Sequence, residues 1–360
     1  MAFGTRVAAN LQRAEFRGNA SEYFGIWIVN ILLTIITFGI YSAWAKVRRL
    51  RYFRGNTYLD GHSFDYHARG LQIFLGRFIL FVVLSIINVI TTVYPLLGAV
   101  TPFVFLAILP WFVVRSLKFN ARVTSYRNIR FDFTGKPWGA FVSIVLGSLV
   151  SVFSLGILAP FASRWTYRYI LNNLRYGDRP FETDPKVGAI YRGWIVPALM
   201  VVLGLALSAA IAWIVIWPMV LQASGEMSNQ SNEAQIILTV LAVYAVFIPI
   251  IVVFVVAGFV YRVVVRNVVL NSTLFDKVHP LYSDMSRAGY FWIVFSNFII
   301  TVLTLGLMRP WAAVREARYT ASHTGITPKG EIGEIMASIQ ASGSAISAEY
   351  TDMEGMDFGF

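Results

Sequence analysis

Between Phe78 and Val114 the chain runs for 37 residues without a charged side chain. Five other runs share this character, at 23–45, 137–163, 193–225, 234–261 and 288–308. A helix needs about 20 apolar residues to cross the hydrocarbon core of a bilayer, so six such runs predict a multi-pass membrane protein of the all-α class. Composition agrees: 57% of residues are hydrophobic and 14% charged, against roughly 45–50% and about 25% in soluble domains. A membrane β-barrel would instead show segments of about ten residues with alternating polarity.

The net charge of +11 could suggest a nucleic-acid partner, but the basic residues sit at the ends of the apolar runs. That is where orientation in a membrane puts them, so no nucleic acid is expected. The sequence has no cysteine, which excludes disulfides, thiolate nucleophiles and thiolate metal sites. Arg6, Arg13 and Arg17 ahead of an apolar run, with Ala43 and Ala45 after it, mimic a cleavable signal. The same run-out recurs in mid-chain at Ala159 and Ala162, so the segment reads as retained structure.

One stretch is written three times: "TFGIYSAWAKVRRLRY" from residue 37, "SLGILAPFASRWTYRY" from 154 and "TLGLMRPWAAVREARY" from 304. The copies align without gaps. Gly39, Gly156 and Gly306 coincide, and so do Arg51, Arg168 and Arg318, each followed by a tyrosine. Upstream, Asn30, Thr34 and Thr37 correspond to Gly147, Ser151 and Ser154 and to Asn297, Thr301 and Thr304. Spacings of four and three put each set on one helix face. Three such stripes converging on an axis would line a polar path; the competing reading is close helix packing through small and hydroxyl side chains.

This pattern divides the chain into an N-terminal segment, 1–22, on the cytoplasmic side, a membrane domain over 23–324, and a tail, 325–360. Inside the membrane domain the repeated pieces are 23–70, 138–183 and 290–324, and between them lie helical hairpins over 71–118 and 188–266. Six acidic residues and one basic give the tail a charge of −5 and a disordered character. No Lys or Arg falls in 93–114 or 193–261, whereas 46–77 holds seven, 115–136 and 164–192 six each and 262–287 four. If all seven helices crossed, basic loops would fall on opposite sides of the membrane, against the charge bias. The three repeated helices are therefore expected to enter, break at Gly39, Gly156 and Gly306, and return, leaving most basic loops cytoplasmic. Segments such as "TSYRNIRFDFTG" from 124 alternate with a period of two and read as short interfacial strands.

Chemistry is sparse. His62 and His67 lie near Asp60 and Asp65 but lack a ligand spacing, and "TGKPWG" from 134 lacks the distal features of a phosphate loop. No metal site, cofactor or catalytic residue is expected, and an enzyme is disfavoured. Arg309 interrupts an apolar stretch where the other copies have Ser42 and Ala159. With Arg51, Arg168 and Arg318 it forms a candidate set for anions or lipid headgroups; plain interfacial anchoring is the alternative.

Three stretches carry a family resemblance: "EYFGIWIVNILLTIITFGIYSAWAKVR" from 22, "FNARVTSYRNIRFDFTG" from 119, and "MSRAGYFWIVFSNFIITVLTLGLMRPWAAVREARY" from 285. They closely resemble the YjgN-like family of bacterial inner-membrane proteins, a family of unknown function. The resemblance covers 14 to about 324 and implies a multi-pass protein of a bacterial inner membrane; it brings no catalytic residues with it.

The expected function is therefore transport or permeation, channel-like or transporter-like, of a small solute or lipid. The alternative is a non-transporting envelope protein whose basic cytoplasmic face binds anionic lipids or a protein. The pseudo-symmetry suits a pore within one chain or between chains of a homo-oligomer.

Overall fold

The computed structural model describes residues 10–225 and 233–330, together with 333, 334, 337 and 339. Residues 1–9 and 226–232 and most of the acidic tail, including all of 340–360, lie outside the described residues.

The helices pair into five hairpins. The first is α1 (Ala20–Ile36) with α2 (Ser42–Gly55), and the second α3 (Gly70–Val93) with α4 (Pro95–Arg122). The third has a composite first arm, α5 (Pro137–Ala140), a π-helical stretch over Phe141–Leu146 and α6 (Gly147–Phe153), and returns as α7 (Ala159–Asn172). The fourth is α8 (Val187–Gly225) with α9 (Glu233–Asn271), and the fifth α10 (Arg287–Leu303) with α11 (Arg309–Ser322).

Among the described residues four helices are long and apolar enough to cross a membrane, and they make up the second and fourth hairpins. In the other three the return arms α2, α7 and α11 have 14 residues each, about 21 Å of helix against roughly 30 Å of hydrocarbon. They also carry most of the repeated arginines. The tips of these short hairpins are apolar and project freely: Phe38 is 98% exposed, Leu155 92% and Leu305 95%.

Each tip is built alike. Gly39, Gly156 and Gly306 have φ of 90°, 85° and 90°, a region that a side chain disfavours. Their N–H groups donate to the carbonyls of Thr34, Ser151 and Thr301 at 2.8, 2.8 and 2.7 Å, which closes the first helix with a left-handed cap. The second helix is opened by Thr37, Ser154 and Thr304, whose hydroxyls accept from the N–H of Tyr41, Leu158 and Met308 at 3.0–3.1 Å.

The fold is not all-α. Eleven strands form one antiparallel sheet: β1 (Gln12–Arg13), β2 (Glu15–Phe16), β3 (Thr57–Leu59), β4 (His62–Tyr66), β5 (Thr124–Tyr126), β6 (Ile129–Phe133), β7 (Leu174–Tyr176), β8 (Arg179–Thr183), β9 (Thr273–Phe275), β10 (His279–Ser283) and β11 (Thr324–Ile326). Each of the first four helical hairpins is followed by a strand pair and the fifth by the single strand β11, so helices and strands alternate along the chain. The strands are too short, at two to five residues, to give a strong periodic signal. Asp60-Gly61, Arg127-Asn128, Gly177 and Asp276-Lys277 adopt positive φ, the conformation of the tight turns that join such strands.

The sheet closes on itself. Gln12 and Arg13 pair with Ile326 and Gly325, the Ala14 N–H donates to the Thr324 carbonyl, and Glu15 and Phe16 pair with Tyr58 and Thr57. Residues 12–16 thus act as one strand between the last strand of the chain and the third. Part of the N-terminal segment, 1–22, is therefore a barrel stave. Closure removes the exposed edges that would otherwise recruit other chains.

The repeated Arg-Tyr pair fastens hairpins to barrel. Tyr52, Tyr169 and Tyr319 donate to the carbonyls of Asn19, Lys136 and Ser286 at 2.7, 2.8 and 3.3 Å, each just before the helix on which that return arm packs. Arg51 and Arg318 donate to the carbonyls of Tyr66 and Gly18 at 3.4 and 3.2 Å, and Arg168 lies 3.6 Å from the Asp184 carboxylate.

Candidate functional site

Alternate residues of the strands point inward. Leu59, Phe64, Tyr126, Phe131, Tyr176, Phe181, Phe275 and Ile326 face one another around the axis. Rings meet at centroid distances of 4.8 Å for Phe64 and Tyr126, 4.9 Å for Phe131 and Tyr176, and 5.0 Å for Phe181 and Phe275. The two tyrosines spend their hydroxyls on the wall itself: Tyr126 donates to the Leu59 carbonyl and Tyr176 to the Tyr126 carbonyl, both at 2.7 Å. Burial pushes the Tyr126 phenol up to about 12 and raises Tyr176 further, so both stay neutral donors and the interior is apolar in function.

These walls do not meet at the centre. A chamber of about 730 Å³ fills the barrel and continues between α2, α9 and α11, reaching Leu50, Phe53, Arg262, Ala313, Ala317 and Thr320. That volume falls in the range of small-molecule sites, roughly 300–1,000 Å³. The end beyond the strand turns is covered by Ile339, which packs on Tyr126, Ile129, Tyr176 and Phe275.

The polar groups of the chamber are few and lie where it passes among the helices. Arg54 stacks over the Tyr66 ring at 5.0 Å, and burial lowers its guanidinium below the ordinary value. Glu316 on α11 accepts from the Tyr290 hydroxyl at 2.7 Å, and Arg262 on α9 also lines the chamber. The site is therefore an aromatic pocket with cations and one carboxylate at one end, suited to an amphiphile whose chain enters first.

The residues singled out from the sequence lie elsewhere. Thr34, Thr37, Ser154 and Thr304 donate their hydroxyls to helix carbonyls three or four residues back, at 2.6–3.1 Å. Asn30 and Asn297 are buried and accept from Arg48 at 3.4 Å and Arg315 at 3.2 Å. These groups build tips and hold the two arms of a hairpin together. Ser151 and Thr301 contribute carbonyls to the tip, and Gly39, Gly156 and Gly306 turn it. Arg51, Arg168 and Arg318 tie strand connectors; Arg309 alone of the four arginines has no such tie among the described residues, and it shares a groove with Asn30 and Thr34. Among the described residues no cluster of metal-ligating side chains occurs.

The barrel and its chamber escaped the sequence reading. Their signal was the recurrence of three-to-five-residue aromatic segments around an Asp, Asn or Gly turn after each of the first four helix pairs.

Known proteins resemble the chain along most of its length. The inner membrane protein YjgN of Salmonella typhimurium (strain LT2) is 27% identical over 353 residues, covering 86% of this chain and 87% of that protein. The inner membrane protein YjgN of Escherichia coli O157:H7 is also 27% identical, over 243 residues, covering 58% of this chain and 60% of that protein. No solved structure matches the chain significantly. Residues 11–353, barrel and hairpins together, match one family pattern, and the chain belongs to that family, described as bacterial protein of unknown function (DUF898).

Proposed function

We propose that this is an inner-membrane protein that takes the apolar chain of a lipid or other amphiphile into its barrel and serves its transport. The observation that carries the reading is the chamber: an aromatic-walled space of about 730 Å³ continuous with gaps among membrane helices. A water-filled solute pore is less well supported, because the hydroxyl stripes that would line it are engaged in the helices' own carbonyls.

The relatives' inner-membrane naming supports the location. The orientation follows from charge: the ends of the hairpins that meet the barrel carry the Lys and Arg clusters, while the far ends of the long hairpins carry none. Positive-inside bias then puts the barrel in the cytoplasm. The proposed role is binding and movement of an amphiphile, not catalysis.

The test is direct. The full chain, purified in a mild detergent and extracted with organic solvent, should yield a bound amphiphile at about one per chain by mass spectrometry. A fluorescent analogue of a 16-carbon fatty acid should bind and be displaced by it. Absence of both co-purified amphiphile and saturable binding refutes the reading. Orientation is read separately by single cysteines in a chain that has none. A cysteine at Leu96, exposed at the turn between α3 and α4, should react with an impermeant thiol reagent in spheroplasts, and one at Asp178 should not.

A further inference from the structure

The first and last hairpins meet without a covalent connection, and a groove of about 480 Å³ runs along their boundary. Its floor is one face of α1, with Tyr23, Trp27, Asn30 and Thr34 in line, and its walls are α2 and α11. Each wall brings one arginine, Arg49 and Arg309, and no carboxylate lines the groove.

These two arginines differ from the others on the return arms. Arg48 and Arg315 donate to buried asparagines, Arg164 and Arg168 face Asp184, and Arg51 and Arg318 hold backbone carbonyls. Among the described residues neither the Arg49 nor the Arg309 side chain has a hydrogen-bond, ion-pair or ring partner, whereas Arg54, also without a side-chain hydrogen bond, lies over the Tyr66 ring; both guanidinium groups act electrostatically on the Tyr23 phenol. The aligned positions in the other short hairpins are Thr166 and Glu316 for Arg49, and Ser42 and Ala159 for Arg309. Arg49 and Arg309 thus come from two different hairpins and meet at this boundary.

Converging cations beside apolar tips repel and are costly to desolvate unless an anion joins them. Guanidinium pairs match phosphate oxygens bidentately. The apolar surface next to the groove, Ile35, Ile36, Leu307 and Met308, belongs to tips that suit acyl chains. We propose that the groove between the first and last hairpins binds the phosphate of a membrane phospholipid, clamped by Arg49 and Arg309 over the Asn30 and Tyr23 side chains. The site goes beyond the chamber and stands whether or not the chamber holds a chain. It nevertheless shares two wall residues with it, Phe53 and Ala313. The headgroup site thus lies across a single layer of side chains from the barrel interior.

The test uses the full chain in detergent, titrated with phosphatidylglycerol and, separately, with diacylglycerol and inorganic phosphate, and read by native mass spectrometry. Wild type should bind one phosphatidylglycerol in preference to diacylglycerol. R49Q and R309Q should each weaken it by about tenfold, with a steep ionic-strength dependence in the wild type. Neither side chain holds another part of the chain, so the single variants should fold, as thermal unfolding will show. R192Q, which removes an exposed arginine away from the groove, should leave binding unchanged. A317F, which fills the chamber, should also leave it unchanged, and this separates failure here from failure of the chamber reading. Equal binding by both arginine variants and wild type overturns the proposal. So does phosphate competing as well as the lipid, which would make this a site for a free anion.

Discussion

Ala317 on α11 faces the chamber where it leaves the barrel, and replacing it by phenylalanine places a six-carbon ring in space that a bound chain would occupy. If the ring displaces roughly three to four methylenes, at about 0.8 kcal/mol each, binding weakens by about 2.4–3.2 kcal/mol. That corresponds to a loss of about 50- to 200-fold in affinity. Ala317 is half-buried beside open volume, so the new ring meets little of the overpacking strain that such a change brings in a filled core. The assay is displacement of the fluorescent 16-carbon analogue from protein in detergent, with A99F as the companion variant, since Ala99 is exposed on the outer face of α4. The expected result is a large loss for A317F, none for A99F, and unchanged thermal midpoints for both. Unchanged affinity in a folded A317F variant would place the chain outside the barrel and refute the chamber as its site.

Three further outcomes are expected. Gly306→Val at a tip with φ of 90° and open space around it should cost about 1–2 kcal/mol through backbone strain alone, seen as a lower thermal midpoint in detergent; Ser296→Val on α10 is not a substitute control, because Ser296 accepts from Arg315. Arg13→Ala removes the bidentate contact to Asp284 and the bond to the Ser322 carbonyl; as the ion pair is partly exposed, the loss should be about 1–2 kcal/mol. Hydrogen exchange should then quicken in 12–16 and 324–326 before it does in β5–β8. Burial lowers the imidazoles of His67 and His279 below the ordinary 6.5, so the unfolded chain takes up protons first as pH falls. Their contribution is complete above about 6.5 and is lost as pH drops through the depressed folded values; His279→Asn should flatten that part of a stability profile between pH 7.5 and 5.

How much of this was legible beforehand varies with the length of the signal. The apolar runs at 78–114, 193–225 and 234–261 correspond to helices long and apolar enough to cross a membrane, whereas 23–45, 137–163 and 288–308 fold into the short hairpins, whose break at Gly39, Gly156 and Gly306 follows from glycine's freedom at positive φ. The strands read only in part: the alternation in 124–135 marked β5 and β6 as short strands, but nothing joined such segments into one sheet. Leu174–Tyr176 and Thr273–Phe275 have three residues each, too few for alternation to outweigh the helices on either side. β1 and β2 gain their meaning only from Ile326 and Tyr58, hundreds and tens of residues away. The arginines misled in an instructive way. Arg51, Arg168 and Arg318 recur because each fastens a return arm to the next connector, so repetition marked a structural joint. Arg309 departs from the repeat, and it is the one left facing a groove.

The architecture explains why the boundary between first and last hairpins differs from the rest. A two- or three-residue strand has little stability alone, but helical hairpins planted in a membrane hold successive strand pairs side by side, and a ring of them needs no edge. Four of the five boundaries are crossed by the chain itself, through connectors such as 67–69 and 134–136. The fifth is closed only by side chains and by the pairing of 12–14 with β11: Phe16, Tyr23, Val314 and Ala321 pack there, and Arg13 and Arg318 reach across. Opening it breaks no covalent link and no helix, so the proposed function assigns the lateral passage from bilayer to barrel to this joint. The unpartnered arginines and the thin partition of Phe53 and Ala313 lie at this joint. A disulfide across it, made from cysteines at Gln12 and Ile326, which are paired in register, should leave headgroup binding intact and slow entry of a chain into the barrel; an unchanged entry rate would place the passage at another boundary.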